Sequence, residues 1–184
     1  MGGGEQAVVT AGWRRAGTAS PDLEALCLRE YPRLVAALHL ICGDRHVAED
    51  IAQETLVRLW DRWSRVSKLQ SPGGWCHRVA LNLARSHLRR RAAEGRANQR
   101  SQQGRSDRTL EADVADAITV GRALAALTPR QREALTLRYY LGYSVAETAV
   151  LMELPDGTVK SHCLRAIEAL RRQLGVAQLT GGEG

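Results

Sequence analysis

The chain has 184 residues, 44% of them hydrophobic, and its 26 Lys and Arg against 20 Asp and Glu give a net charge of +6. That length suits one medium domain or two small ones and excludes a large enzyme scaffold. No apolar run approaches the ~20 residues that span a bilayer, and the glycine-rich start from Met1 to Thr10 lacks the basic-then-apolar order of a signal peptide, so the expected location is the cytoplasm.

Helical periodicity runs through nearly the whole chain without a competing alternating pattern, so the predicted fold class is all-α. Residues 1–20 read as a flexible tail. Asp22 then begins a helix that turns Leu23, Leu26, Cys27, Tyr31, Leu34, Leu38 and Ile41 inward; Gly43 closes it, and Pro32 is expected to kink or divide it. Asp44 caps a second helix with the stripe Ala48, Ile51, Ala52, Leu56, Leu59, Trp60 and Trp63, acidic early and basic late as the helix dipole favours. A loop over Ser64 to Gln70 follows. Ser71 and Pro72 open a third helix that buries Trp75, Val79, Ala80, Leu83, Ala84 and Leu88.

Between Leu88 and Leu110 stands no Leu, Ile, Val, Met or aromatic residue. Such a segment cannot offset its ordering entropy by burial, so 92–109 is expected to be a flexible basic linker between domains at 21–91 and 110–175. In the second domain Thr128-Pro129-Arg130-Gln131 is a capping box with Pro at the first helical position, and Gly142 ends the helix it opens. Ser144 to Glu147 is a second box, Leu154-Pro155 breaks the short helix that follows, and a last helix buries Val159, Cys163, Ile167, Leu170 and Leu174. Short helix, break and longer helix form a helix-turn-helix. Residues 176–184 read as a second tail.

Charge is concentrated. Arg78 to Arg108 carries nine arginines against Glu94 and Asp107, while the segments on either side are nearly balanced. An arginine block of this kind suits a polyanion, because phosphate neutralisation dominates nucleic-acid affinity. Cys27, Cys42, Cys76 and Cys163 are scattered, without a C-x-x-C pair, and read as small core residues. His39, Cys42 and His46 would converge on a metal only if one helix carried all three, which Gly43 and Asp44 argue against.

Two helical faces carry candidate binding chemistry. The last helix offers Asp156, Thr158, Lys160, Ser161, His162 and Arg165 around its start, where hydroxyls, cations and free N–H groups meet phosphates and base edges. The third helix aligns Arg78, Asn82, Arg85 and Arg89, an amide among guanidiniums that can address bases and phosphate. A solvated polar face is the bland alternative for each. Trp60, Trp63 and Trp75 could stack on unpaired bases, although their helical spacing suits a core.

The run Ala48-Glu49-Asp50-Ile51-Ala52-Gln53-Glu54-Thr55, then Trp75 through Asn82-Leu83-Ala84 to Arg89-Arg90-Arg91, resembles the second region of bacterial RNA polymerase sigma factors of the extracytoplasmic-function type. Leu127-Thr128-Pro129-Arg130-Gln131-Arg132-Glu133 followed by Gly157-Thr158-Val159-Lys160-Ser161 resembles their fourth region. The resemblance covers Asp22 to Leu174 apart from the linker. It implies a non-catalytic transcription initiation factor without a cofactor or metal. The implied partners are core RNA polymerase, through its β′ and β subunits, promoter DNA and an anti-sigma protein, with no insertion into a membrane.

By the same resemblance Asp50, Gln53, Glu54 and Arg58 would dock on the polymerase. Arg78, Asn82, Arg85 and Arg89 would read and open the downstream promoter element, and Thr158, Lys160, Ser161, His162 and Arg165 would read the upstream one. The chain departs from the family's commoner residues at His162 and at Pro155-Asp156, so an upstream sequence preference does not carry over.

Other classes explain less. A nuclease or recombinase would need metal-binding acids or a nucleophile, and no phosphate-cradling glycine loop or catalytic pair of carboxylates is visible. A free-standing regulator using the last helix would leave Asp50 to Glu54 and the Asn82 stripe without a role, and an interaction module that no longer initiates transcription is a third class.

Overall fold

The computed structural model describes residues 20–101 and 121–174, with side chains through Arg96 in the first stretch. Four helices build the first part: α1 Pro21–Cys42, α2 Arg45–Asp61, α3 Trp63–Val66 and α4 Pro72–Ser101. After a helical segment at 121–125 come α5 Pro129–Leu135, which continues into a π-helical turn Thr136–Tyr140, then α6 Val145–Met152 and α7 Asp156–Gln173. No strand occurs among the described residues. Residues 1–19 of the tail expected over 1–20, the tail expected over 176–184, linker residues 102–109 and the start of the second domain to 120 lie outside the described residues.

Local chemistry sets most boundaries. Pro21 occupies the first turn of α1 beside Asp22 and Glu24, which suit the positive end of the helix dipole. Gly43 stops that helix with φ 75, and its N–H donates to the His39 carbonyl at 2.8 Å. Asp44 then starts α2, its carboxylate accepting from the Val47 N–H at 3.1 Å. His39, Cys42 and His46 are therefore split between two helices. Ser71 caps α4 by accepting from the Gly74 N–H at 3.1 Å. Both capping boxes of the second domain close reciprocally: Thr128 with Gln131, and Ser144 with Glu147.

Four expectations change. Pro32 does not divide the first helix, which continues through it to Cys42. The expected loop after α2 holds the short helix α3, whose Val66 is buried. The expected linker begins as helix, because α4 continues to Ser101; Ala, Arg, Glu and Gln are strong helix formers that need no apolar stripe to stay helical next to an established turn. In the helix-turn-helix the short helix ends at Met152 as expected, with Glu153 at a left-handed φ of 57 ahead of the extended Pro155, but at the far end Leu174, expected on the buried side, is exposed.

Leu34, Leu38, Leu56 and Leu59 form the centre of the first part and Leu137, Met152 and Val159 that of the second, all fully buried. Each such side chain contributes about 1.5–3 kcal/mol by leaving water. The two centres are continuous, since α1 packs against both α5 and the π turn. Trp60, Trp63 and Trp75 lie partly buried against this core, the structural role that their spacing favoured. All four cysteines are buried and free, and burial pushes the Cys27 and Cys76 thiols up to about 12 and that of Cys42 to about 11, as expected of inert core residues.

Candidate nucleic-acid interface

The stripe on α4 is assembled as expected but is not open along its length. Arg78, Asn82 and Arg89 are exposed, whereas the side chain of Arg85 retains only 13% exposure. Its guanidinium faces the second domain. Nε donates to Glu133 Oε1 at 3.0 Å, Nη2 reaches the same oxygen and also donates to the Leu151 carbonyl at 3.0 Å, and Nη1 donates to Asn82 Oδ1 at 3.1 Å. Two turns earlier Arg78 Nη2 donates to the Val150 carbonyl at 3.3 Å. Glu133 is buried on α5, and its other oxygen accepts from Arg130 Nη1 at 3.2 Å. A buried carboxylate requires such partners, because an unpaired charge there would be strongly disfavoured.

A second polar bridge lies at the start of α4. His77 is buried, its Nδ1 hydrogen-bonded to the Tyr143 hydroxyl and its Nε2 lying 3.3 Å from Glu30 Oε2 on α1. The rings of His77 and Tyr143 meet edge to face with centroids 5.6 Å apart. His77 first, with help from Arg29, holds the Glu30 carboxyl down at about 2 against the opposing effect of burial. Burial, reinforced by Glu30, pushes the Tyr143 hydroxyl up to about 12. The backbone of Tyr143 is fixed as well, its carbonyl accepting from Arg138 Nη1 in the π turn. Gly73 permits the approach of Glu30 to the first turn of α4: a Cβ there would stand 2.9 Å from Glu30 Oε1.

On α7, Lys160 and Arg165 are exposed and Thr158, Ser161 and His162 half-buried on the same helix, while Val159, Cys163 and Ala166 anchor its other side. Among the described residues Lys160 and Arg165 make no ion pair or side-chain hydrogen bond, so both cations are available to an external anion. On α2, Asp50, Gln53 and Glu54 are exposed, and Arg58 pairs with Glu54 at 2.9 Å one turn away. Ala48, Ile51, Ala52 and Leu56 bury the other side of that helix, which fixes the polar face outward.

Four residues of this architecture are absent from the sequence-derived candidates: Glu30, His77, Glu133 and Tyr143. For two of them a signal exists. Glu30 falls in register with Leu23, Leu26, Cys27 and Leu34, and His77 adjoins Cys76 in register with Ala80 and Leu81. A titratable residue on a buried stripe implies a buried partner.

Residues 26–94 match the family model of sigma-70 region 2, and residues 118–170 that of sigma-70 region 4. The ECF RNA polymerase sigma factor SigL of Mycobacterium tuberculosis is 30% identical over 145 residues, covering 75% of this chain and 82% of the relative. The RNA polymerase sigma-E factor of Streptomyces avermitilis is 30% identical over 156 residues, covering 82% and 87%. Among solved structures, the sigma factor RpoE of Bartonella quintana, in complex with the anti-sigma factor NepR, superposes with a TM-score of 0.72 at 24% identity, covering 86% of this chain and all of that one.

Proposed function

The chain belongs to the extracytoplasmic-function sigma factors of bacterial RNA polymerase, a family of non-catalytic factors that bind core enzyme and direct it to promoters, and from that premise we propose how its surfaces divide the work. Asp50, Gln53, Glu54 and Arg58 on α2 dock on core polymerase through the β′ subunit. Arg78, Asn82, Arg85 and Arg89 on α4 take the downstream element and stabilise its opened strand. Thr158, Lys160, Ser161, His162 and Arg165 on α7 read the upstream element as closed duplex. The protein works in the cytoplasm, adds no catalytic activity of its own, and has an anti-sigma protein as a candidate regulator.

The observation that carries this division is the separation of the three faces. The α2 face is acidic and exposed, and the two cationic faces stand on different helices in the two sigma-70 segments. An amide set among guanidiniums suits a base displaced from its stack, while a helix start with free cations suits an intact groove.

The docking assignment has a direct test. Asp50→Arg combined with Glu54→Arg should abolish co-purification with core polymerase and run-off transcription while leaving the helical circular dichroism unchanged. Retained co-purification would sink the assignment.

A further inference from the structure

Resting on the assignment of α7 to the upstream duplex, we propose that Leu164 reads the 5-methyl group of one thymine in that element. Leu164 is 58% exposed, on a helix whose opposite side is fixed by the buried Val159, Cys163 and Ala166. It lies three residues after Ser161 and seven after Gly157, so the three share the outward face. Lys160 and Arg165 flank it, both exposed and both without an ion pair or side-chain hydrogen bond among the described residues. A lone exposed leucine is ordinary, as Leu28 on α1 and Leu69 before α4 are. One set between two free cations on the second helix of a helix-turn-helix stands where base edges arrive.

The face is shaped for close approach. Gly157 is exposed and a Cβ there would meet open space, so no packing within the fold calls for a glycine in the first turn, where alanine would favour the helix. Ser161 adds only a hydroxymethyl group. The floor of a groove can therefore come near the helix axis until it meets Leu164, about 10.5 Å further along α7 than Gly157, which is about three base steps. Glu168, exposed one turn beyond, ends the stretch, because a carboxylate is repelled by phosphate. The chemistry of the side chain then selects the base. Adenine, guanine and cytosine present only donors and acceptors to the major groove, which an aliphatic side chain would bury unpaired, whereas thymine presents a methyl group beside its O4. Leu164 thus favours a T·A pair in one orientation, between the phosphates that Lys160 and Arg165 neutralise.

The test uses the full chain assembled with core polymerase, and a duplex carrying the upstream region of a promoter mapped by the chain's own run-off transcription. Each thymine is replaced in turn by deoxyuridine, which removes the methyl group and keeps the pairing. One replacement should weaken binding roughly fourfold, the worth of one methyl group leaving water, and the same replacement should cost Leu164→Ala nothing. Leu164 is exposed and alanine is the stronger helix former, so that variant keeps its fold. No sensitive thymine, or a penalty that persists in Leu164→Ala, overturns the inference while Lys160→Ala still weakens binding. Wild-type binding by both Lys160→Ala and Arg165→Ala shows instead that α7 is not the duplex reader, and overturns the inference through the reading on which it rests.

Discussion

The basic faces of α4 and α7 look alike as sequence, each a set of cations and polar groups at helical spacing, yet they differ in what their charges already touch. Arg85 and Arg78 donate to acceptors in the second domain, whereas Lys160 and Arg165 stand in solvent. The difference is one of reach: α4 lies beside a buried carboxylate and the carbonyls at the end of α6, and among the described residues the outward side of α7 meets no comparable acceptor. Counting arginines therefore measures potential for binding a polyanion, while the acceptor geometry measures how much of it is available.

Acid should disturb the two faces most unequally. The Glu30 carboxyl sits at about 2 against an ordinary 4.5. A lowered folded value stabilises the protein fully above the unfolded value and progressively less as pH falls toward the folded one, so the loss runs from about 4.5 down to about 2. The full contribution is on the order of 3 kcal/mol. Urea unfolding of the wild type should weaken markedly between pH 6 and pH 3, and Glu30→Gln should flatten that dependence; parallel pH profiles would show that Glu30 does not carry it.

Substitution on the faces themselves should separate their physics. Arg165→Ala or Lys160→Ala should weaken binding to upstream duplex by about 1–3 kcal/mol where a base contact is lost, and flatten the salt dependence where a phosphate contact is lost. Asn82→Ala should leave that binding nearly intact and reduce permanganate reactivity of unpaired thymines in the polymerase complex. Normal opening by Asn82→Ala would reverse the assignment of faces to elements.

A smaller effect tests the scaffold under α7. Ser144→Ala removes the cap of α6 and one half of its box, at a cost of about 1 kcal/mol, read as a lower melting temperature with the duplex specificity unchanged. A change of specificity without a change of melting would mean that α6 itself addresses DNA.

What was legible in the sequence was local. The caps at Asp44, Ser71, Thr128 and Ser144 and the stops at Cys42 and Met152 depend on residues a turn apart, and each falls where the pattern put it. The outward set of α2 was equally legible, because the buried stripe on its other side is continuous. The helical extension to Ser101 was not, since intrinsic propensity without an apolar face leaves no periodic trace. Nor was the occupation of Arg85: its partner lies 48 residues away on another helix, and no spacing rule connects them. Glu30 and His77 stood within buried stripes, but their identity as a pair required the packing of α1 on α4.

The length of α4 has a mechanical consequence. Thirty residues at 1.5 Å each make a rod of about 45 Å, and its last turns from Ala92 onward run past the final apolar contact at Leu88. The rod carries its arginine-rich end, Arg89 to Arg96, beyond the packed helices, so these exposed cations can meet a polyanion from several sides at once.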